Sequence, residues 1–290
     1  MYMAKRGAAM SDKAPQEMQS ESWAGEMGDK WNRYVEQFEG MIAPVGSAAI
    51  AHAGFRAGER VIDIGCGGGA TTFEIARRIG NGHVTGLDLS QTLVNTCNRR
   101  LAESGLANVD FVCADAATDA MSGYDVLFSR FGVMFFNDPV AAFQNMRGYL
   151  KDSGRISFVC WGPPSEQPWV GELMAVAAKY VTLPPPVPNA PGPFAFGDQD
   201  YLRSILEQAP FRDITITRWS GNQQIGGPGA TPESAARFVL DALFMGDALK
   251  DASDSVKAQA FQDSIEVLQR HVIDGNVEMQ GCAWLVRANC

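Results

Sequence analysis

The chain has 290 residues, 46% hydrophobic and 20% charged, the composition of a folded globular protein of one large or two small domains. It excludes a disordered chain, a collagen-like fibre and a small disulfide scaffold. Acids outnumber bases 33 to 24, for a formal charge of -9, and such a surface argues against nucleic acid as a partner.

Residues 1–21 are polar with no apolar h-region, so they read as a loose tail rather than a signal peptide. Trp23, Met27, Trp31, Tyr34 and Phe38 recur at steps of four, four, three and four, which predicts one amphipathic helix ended by Gly40. A second helix is expected from Pro44 to Ala53. Arg60–Ile64 is a short β-branched run and predicts a buried strand. Gly65–Gly69 follows, then a helix over Ala70–Ile79 closed by Gly80.

The alternation then repeats. His83–Leu89 predicts a strand, and Ser90 caps a helix to Ser104 that stops at Gly105. Val109–Cys113 and Tyr124–Ser129 are the third and fourth strands. Asp138–Leu150 is a helix with Pro139 in its first turn, and Arg155–Cys160 is the fifth strand. This spacing predicts parallel βαβ units with helices on both faces. After Trp161 the rhythm changes. A helix is expected over Glu166–Tyr180, and six of the 15 prolines fall between Pro184 and Pro193 in a stiff extended loop. Helix over Tyr201–Gln208, strand over Ile214–Trp219, helix from Thr231 through Phe244, helix around Phe261 and Leu268, and a closing strand over Cys282–Ala288 complete the reading.

No run reaches the roughly 20 apolar residues needed to cross a bilayer. None of the six cysteines forms a C-x-x-C pair, so neither a zinc site nor any other metal site is expected. Free thiols in apolar segments point to a reducing, cytoplasmic setting.

The chemistry-bearing motif is Asp63-Ile64-Gly65-Cys66-Gly67-Gly68-Gly69, between a strand and a helix. Glycines there allow a tight turn and close backbone approach to a ligand. Gly65-x-Gly67-x-x-Ala70 also fits the looser dinucleotide fingerprint, so a nicotinamide-dependent oxidoreductase is a competing reading. Against it stands Asp63, two residues before Gly65, because a carboxylate repels a pyrophosphate and favours an ammonium. Asp88 ends the second strand, where an acid accepts from ribose hydroxyls. Asp115 follows the third strand, placed to accept from an adenine amine. An ammonium, a ribose and an adenine without phosphate-neutralising bases describe S-adenosylmethionine.

The run D-x-G-x-G-x-G, then Leu87-Asp88-Leu89-Ser90, then Asp115-Ala116 resembles the class I S-adenosylmethionine-dependent methyltransferases. Ser129-Arg130-Phe131-Gly132-Val133-Met134-Phe135-Phe136, followed by Asp138-Pro139, is similar to their ubiquinone/menaquinone-type branch of small-molecule enzymes, as are Gly192–Phe196 and Ala283–Val286. The resemblance implies a Rossmann-like seven-stranded sheet, with five parallel strands, an antiparallel last strand, helices on both faces and a helical cap. In such sheets ligands bind outside the carboxyl ends of the strands. It further implies that Asp63 and Gly65 hold the methionine end of the cofactor, Asp88 the ribose, Asp115 and Ala116 the adenine, with Leu89 on its face, Ser129 by the sulfonium, and Cys66 and Gly67 also in the cofactor site. The product is S-adenosylhomocysteine.

The expected organisation is a tail at 1–21 and one methyltransferase domain at 22–290. Residues 22–55 form a lid, 56–162 the cofactor core, and 163–212 with 221–280 the acceptor cap. Trp23, Trp31, Tyr34, Arg130, Phe131, Met134, Trp161, Phe194 and Phe196 are the acceptor-site candidates, and their aromatic content suggests a small apolar or planar organic acceptor. His52 and His83 precede or begin strands and lie at the wrong end of the sheet. His271, Tyr34 and Arg130 remain as weak catalytic candidates, so proximity and desolvation are expected to dominate. A non-catalytic S-adenosylmethionine-binding protein on the same fold stays open, as does the choice between monomer and homodimer.

Overall fold

A computed structural model describes residues 22–290, and the expected tail at 1–21 lies outside the described residues. The strands are β1 (Arg60–Ile64), β2 (His83–Asp88), β3 (Val109–Cys113), β4 (Tyr124–Arg130), β5 (Leu150–Trp161), β6 (Arg212–Gln224), β7 (Val272–Ile273) and β8 (Asn276–Asn289). They pair in the order β3-β2-β1-β4-β5-β8-β6, with the short β7 paired to β8. The first five run parallel, and β8 runs antiparallel between β5 and β6. A parallel sheet covered on both faces needs strands apolar on both sides. Val61, Ile62 and Ile64 meet that demand, each 2% exposed or less. Asp63 is the polar exception among them.

Ahead of β1 lie α1 (Glu26–Arg33), α2 (Val35–Met41) and α3 (Ala43–Ala53). Between the parallel strands lie α4 (Ala70–Ile79), α5 (Gln91–Ser104) and α6 (Pro139–Arg147). After β5 come α7 (Pro168–Ala177), α8 (Gln199–Gln208), α9 (Pro232–Ala242), α10 (Phe244–Ala248) and α11 (Asp254–Gln269). The capping signals act as read: Ser90 Oγ accepts from Leu93 N–H, the Asp138 carboxylate from Ala141 N–H, and Thr231 Oγ1 from Ser234 N–H.

Four expectations are corrected by tertiary contacts. The amphipathic run of residues 23–38 is two helices, broken at Tyr34, because its halves dock on different partners. The α1 half lies on α5 through Asp29–Thr92 and Asn32–Thr96 hydrogen bonds of 2.9 and 2.7 Å. The α2 half turns to the cap, with Phe38 edge-on to Phe238 at 5.0 Å. Gly40 does not end α2; a Cβ there would lie 2.3 Å from Pro228 Cδ, so glycine serves close packing. The helix expected over 166–180 breaks at Gln167, whose side chain turns in to bond the Cys282 backbone. The helix from Thr231 is interrupted at Leu243, which is extended. In addition, β6 and β8 outrun their predicted ends, so residues 221–224 and 276–280 are strand rather than cap.

Side-chain alternation sorts the sheet into two faces. Arg155, Val159 and Trp161 of β5 share one face with Arg287, Ala283 and Gly281 of β8. Arg155 and Arg287 bond carbonyls at the end of α3, so α3 covers that face. Phe158 and Trp284 belong to the other face, where Trp284 Nε1 donates to Gly197 O at 3.0 Å.

Arg155 also forms a two-point ion pair with Glu59, at 2.7 and 3.0 Å, at the amino end of the sheet. Arg155→Met leaves the shielded Glu59 carboxylate without its partner and should destabilise the fold by about 3 kcal/mol. Urea unfolding would measure this loss, while ligand binding at the opposite end should stay unchanged.

Candidate functional site

The Gly-rich loop leaves β1 with the amides of Gly65, Cys66, Gly67 and Gly69 already engaged. Gly65 and Cys66 N–H both donate to Leu87 O at 2.8 and 3.1 Å, and Gly69 N–H donates to Cys66 O. Gly67 N–H donates to Asp88 Oδ2 at 2.9 Å. A pyrophosphate needs such amides free and pointing at it, so this loop does not fit the dinucleotide reading. Gly67 has φ +58, and a Cβ there would lie 3.3 Å from Trp31 Nε1, so α1 sits directly on the turn. Cys66 is buried beneath the loop beside Cys97, whose thiol donates to Gly67 O. Thiol contact with Cys97 and burial both push the Cys66 pKa up, leaving it an inert thiol.

Three acids lie at or just past the carboxyl ends of three adjacent strands. Asp63 is wholly buried, and the hydroxyls of Thr71 and Thr72 donate to its Oδ2 at 2.9 and 2.7 Å. Its Oδ1 has no partner among the described residues. Burial pushes its pKa up to about 6, against the lowering effect of Thr72, Thr71 and Arg130. Asp88 is 8% exposed and accepts from Ser90 N–H at 2.9 Å as well as from Gly67. Burial again outweighs those bonds and lifts it to about 6. Asp115 is half-buried and accepts from Ala117 N–H, while the Ala116 carbonyl accepts from Asn145 and Tyr149. Leu89 is half-buried, its carbonyl accepting from the Cys113 thiol of β3 at 3.4 Å.

The end of β4 presses onto the end of β1. Ser129 is fully buried and donates to Ile64 O at 2.8 Å, while its oxygen accepts from Gly132 N–H. Its hydroxyl therefore ties the end of β1 to the turn after β4. A Cβ on Gly65 would lie 2.7 Å from Gly132 Cα, and one on Gly132 would lie 2.5 Å from Ile64 O. Gly132 is thus a site-shaping residue that motif reading missed. Phe131 between them holds φ +64, strained for an aromatic residue, and stacks on Trp161 at 4.0 Å. Arg130 packs beside Gly46 of α3 and feels the charges of Glu39 and Asp63.

From Phe131 an aromatic row continues: Trp161 to Trp169 at 6.0 Å, then Trp169 to Phe244 at 5.4 Å. Trp169 and Phe244 were not singled out from sequence, because each sits in a helical run that reads as ordinary core. The lid adds Trp23, edge-on to Phe135 at 4.8 Å. Trp31 is stacked on Phe38 at 3.9 Å, so one of its faces is taken by lid packing. Met134 is enclosed, its carbonyl accepting from Gly192 N–H. Phe196 packs against Phe143 on the face opposite Trp161, so it is core rather than acceptor wall, and Phe194 is half-buried two residues earlier.

Two of the weak catalytic candidates are engaged elsewhere. His271 bonds Glu172 at 2.8 Å on the outer side of the cap. Tyr34 donates to Asp241 at 2.9 Å, joining lid to cap, and burial raises its pKa. His83 pairs with Asp110 at the amino end of the sheet, and His52 ends α3 there with its pKa lowered by burial.

A methyltransferase-domain family model matches residues 61–154, the segment that holds all three acids and the β4 turn. The chain is a class I S-adenosylmethionine-dependent methyltransferase. An uncharacterized Mycobacterium tuberculosis protein is 26% identical over 277 residues, covering 92% of this methyltransferase and 93% of that protein. The ubiquinone/menaquinone biosynthesis C-methyltransferase of Burkholderia cenocepacia is 27% identical, covering 59% of this chain and 75% of its own. Among solved structures, the fold matches phosphoethanolamine N-methyltransferase 2 of Haemonchus contortus, with TM-score 0.54, 17% identity, 91% of this chain and 59% of that chain. The donor set fits the cofactor of this methyltransferase: buried acids of the kind that can accept from an ammonium and from hydroxyls, with one oxygen of Asp63 unpartnered among the described residues. Among the described residues no cluster of metal ligands occurs and no helix is long and apolar enough to cross a membrane.

The raised pKa of Asp63 makes a directional prediction. The folded state holds its proton up to about pH 6, whereas the unfolded chain releases it near pH 4. The contribution of Asp63 to stability is therefore most favourable below that lower value and falls as pH rises to about 6. Melting temperatures of wild type and Asp63→Asn across pH 4–7.5 should diverge in this window, with only the wild type losing that increment.

Proposed function

We propose that the enzyme methylates a small, apolar, planar organic acceptor by in-line displacement, with positioning and exclusion of water doing most of the catalytic work. The observation that carries this reading is the aromatic row from Phe131 through Trp161 to Trp169, which starts where β1 and β4 meet. Flat apolar walls suit a planar ring. S-adenosylmethionine supplies an electrophilic methyl group on a sulfonium.

In this reading Gly65 and the open oxygen of Asp63 hold the methionine end, with Cys66 and Gly67 forming the turn beneath it. Asp88 takes the ribose hydroxyls, Asp115 and Ala116 the adenine edge, and Leu89 the adenine face. Arg130 offsets the charges of Asp63 and Glu39. Residues 22–55 serve as lid: Asp29 and Asn32 hold α1 on α5, and Trp31 covers Gly67. The cap segments after β5 bring Trp169 and Phe244 to the acceptor. The engagement of His271 with Glu172 supports a route without a histidine base. The quinone-pathway enzyme among the relatives supports a ring-containing acceptor.

Incubating the enzyme with methyl-tritiated S-adenosylmethionine and a fractionated metabolite extract tests the acceptor class. Label should enter the organic-soluble aromatic fraction; label confined to polar metabolites would contradict the reading. Asp88→Ala should weaken S-adenosylhomocysteine binding by about 1–3 kcal/mol by calorimetry. His271→Ala should leave kcat within about twofold, as for a residue that touches no reacting atom.

A further inference from the structure

Gln223, near the end of β6, is fully buried, and neither its amide nitrogen nor its amide oxygen has a hydrogen-bond partner among the described residues. Buried side-chain amides nearly always find partners, because their dehydration is otherwise uncompensated. The neighbouring amide explains why none comes from the protein. Gln167 Nε2 donates to the carbonyls of Gly162 and Cys282 at 3.3 and 2.6 Å. Its Oε1 accepts from Cys282 N–H at 3.2 Å and Trp169 Nε1–H at 3.1 Å. Both hydrogens and both lone pairs of Gln167 are taken, so it has nothing to offer Gln223.

The position is shaped for a side chain of this length. Gly281 pairs with Gly221 across the two strands. A Cβ on Gly281 would lie 1.9 Å from Gln223 Nε2 and 3.3 Å from Gln167 Oε1. Only a bare backbone at Gly281 lets the amide lie there. The register sets Gln223 on the same sheet face as Trp161, because Gln223 pairs with Met279, Gly221 with Gly281, and Trp161 with Ala283. Since β5 ends at Trp161, residues 220–224 project past the carboxyl end of the parallel sheet, on the side where the cofactor loop and the lid lie. Gln167 completes the link, bonded to the indole of Trp169 in the aromatic row.

We propose that Gln223 is the acceptor-recognition residue, its amide meeting a keto or phenolic oxygen on the planar acceptor whose ring lies along the row. This rests on the ring-acceptor reading above and adds the polar group that orients the ring. A primary amide both donates and accepts, so it takes a ketone through N–H and a phenol through C=O. It carries no charge, which suits a neutral oxygen better than a carboxylate. An apolar residue of the same volume would pack this site without leaving any polar atom bare, so a buried glutamine here favours ligand recognition over stability.

The test is tryptophan-fluorescence titration of the enzyme, saturated with S-adenosylhomocysteine, with 2-naphthol and with 2-methylnaphthalene. Wild type should prefer the naphthol by ~10-fold or more, as sites built to pair a hydroxyl do. Gln223→Leu should lose that preference, bind S-adenosylhomocysteine as wild type does, and melt at the same temperature or higher. A Gln223→Leu enzyme that still prefers the naphthol as wild type does overturns the proposal, as does one with a lowered melting temperature, which would mark a structural amide. A wild type that binds neither compound contradicts the ring-acceptor reading itself, and the proposal with it.

Discussion

Two carboxylates held almost free of water at the ends of neighbouring strands set the terms for the rest of the molecule. A charged carboxylate in such a place costs stability unless donors surround it. Two threonine hydroxyls from α4 serve Asp63, and two backbone amides serve Asp88. The compensation is incomplete, since burial still lifts both groups to about 6. It also has a structural consequence. By donating to Asp88, Gly67 gives up an amide that a phosphate-binding loop would keep, which accords with the proposed role of this element toward a cation and its sugar.

The lid and the β4 turn follow from the same constraint, because a dry carboxylate needs cover. Gly65 and Gly132 let two loops cross at backbone contact, and the Ser129 hydroxyl locks them. The N-terminal helical segment is held on three sides. Its α1 bonds α5, Tyr34 bonds Asp241 of the cap, and Glu39 grips Arg100, which also donates to Gly68 O of the loop. Each of these bonds contributes about 1 kcal/mol. Apolar contact supplies the rest, with Trp31 stacked on Phe38 and Phe38 edge-on to Phe238.

Most of the cofactor half was legible in the sequence because its signals are local. Val61–Ile64 reads as a buried parallel strand, and Ser90, Asp138 and Thr231 start helices by capping chemistry that needs no tertiary partner. Asp63, Asp88 and Asp115 fall into place once the strand ends are known. What stayed hidden depends on partners distant in sequence. The break at Tyr34 arises because α1 and α2 dock on different surfaces. Assigning Trp161 and Phe196 to opposite faces needs the pairing register of β5 with β8. The projecting part of β6 is polar, running Ser220 to Gln224 without apolar alternation, so nothing local marks it as strand. Gln223 and Gly132 gain their meaning only from neighbours that the fold brings beside them.

The central proposal is that Asp63 and Asp88, two buried carboxylates only partly ionised near pH 6, receive the cofactor and ionise further there when it binds. An ammonium or ribose hydroxyls beside Asp63 and Asp88 favour their charged forms and pull both pKa values down. At pH 6, calorimetric binding of S-adenosylhomocysteine in buffers of different ionisation enthalpy measures this directly. Net release of protons that fades by pH 8 is the expected result. Binding that releases no protons at pH 6, or takes them up, would contradict the account.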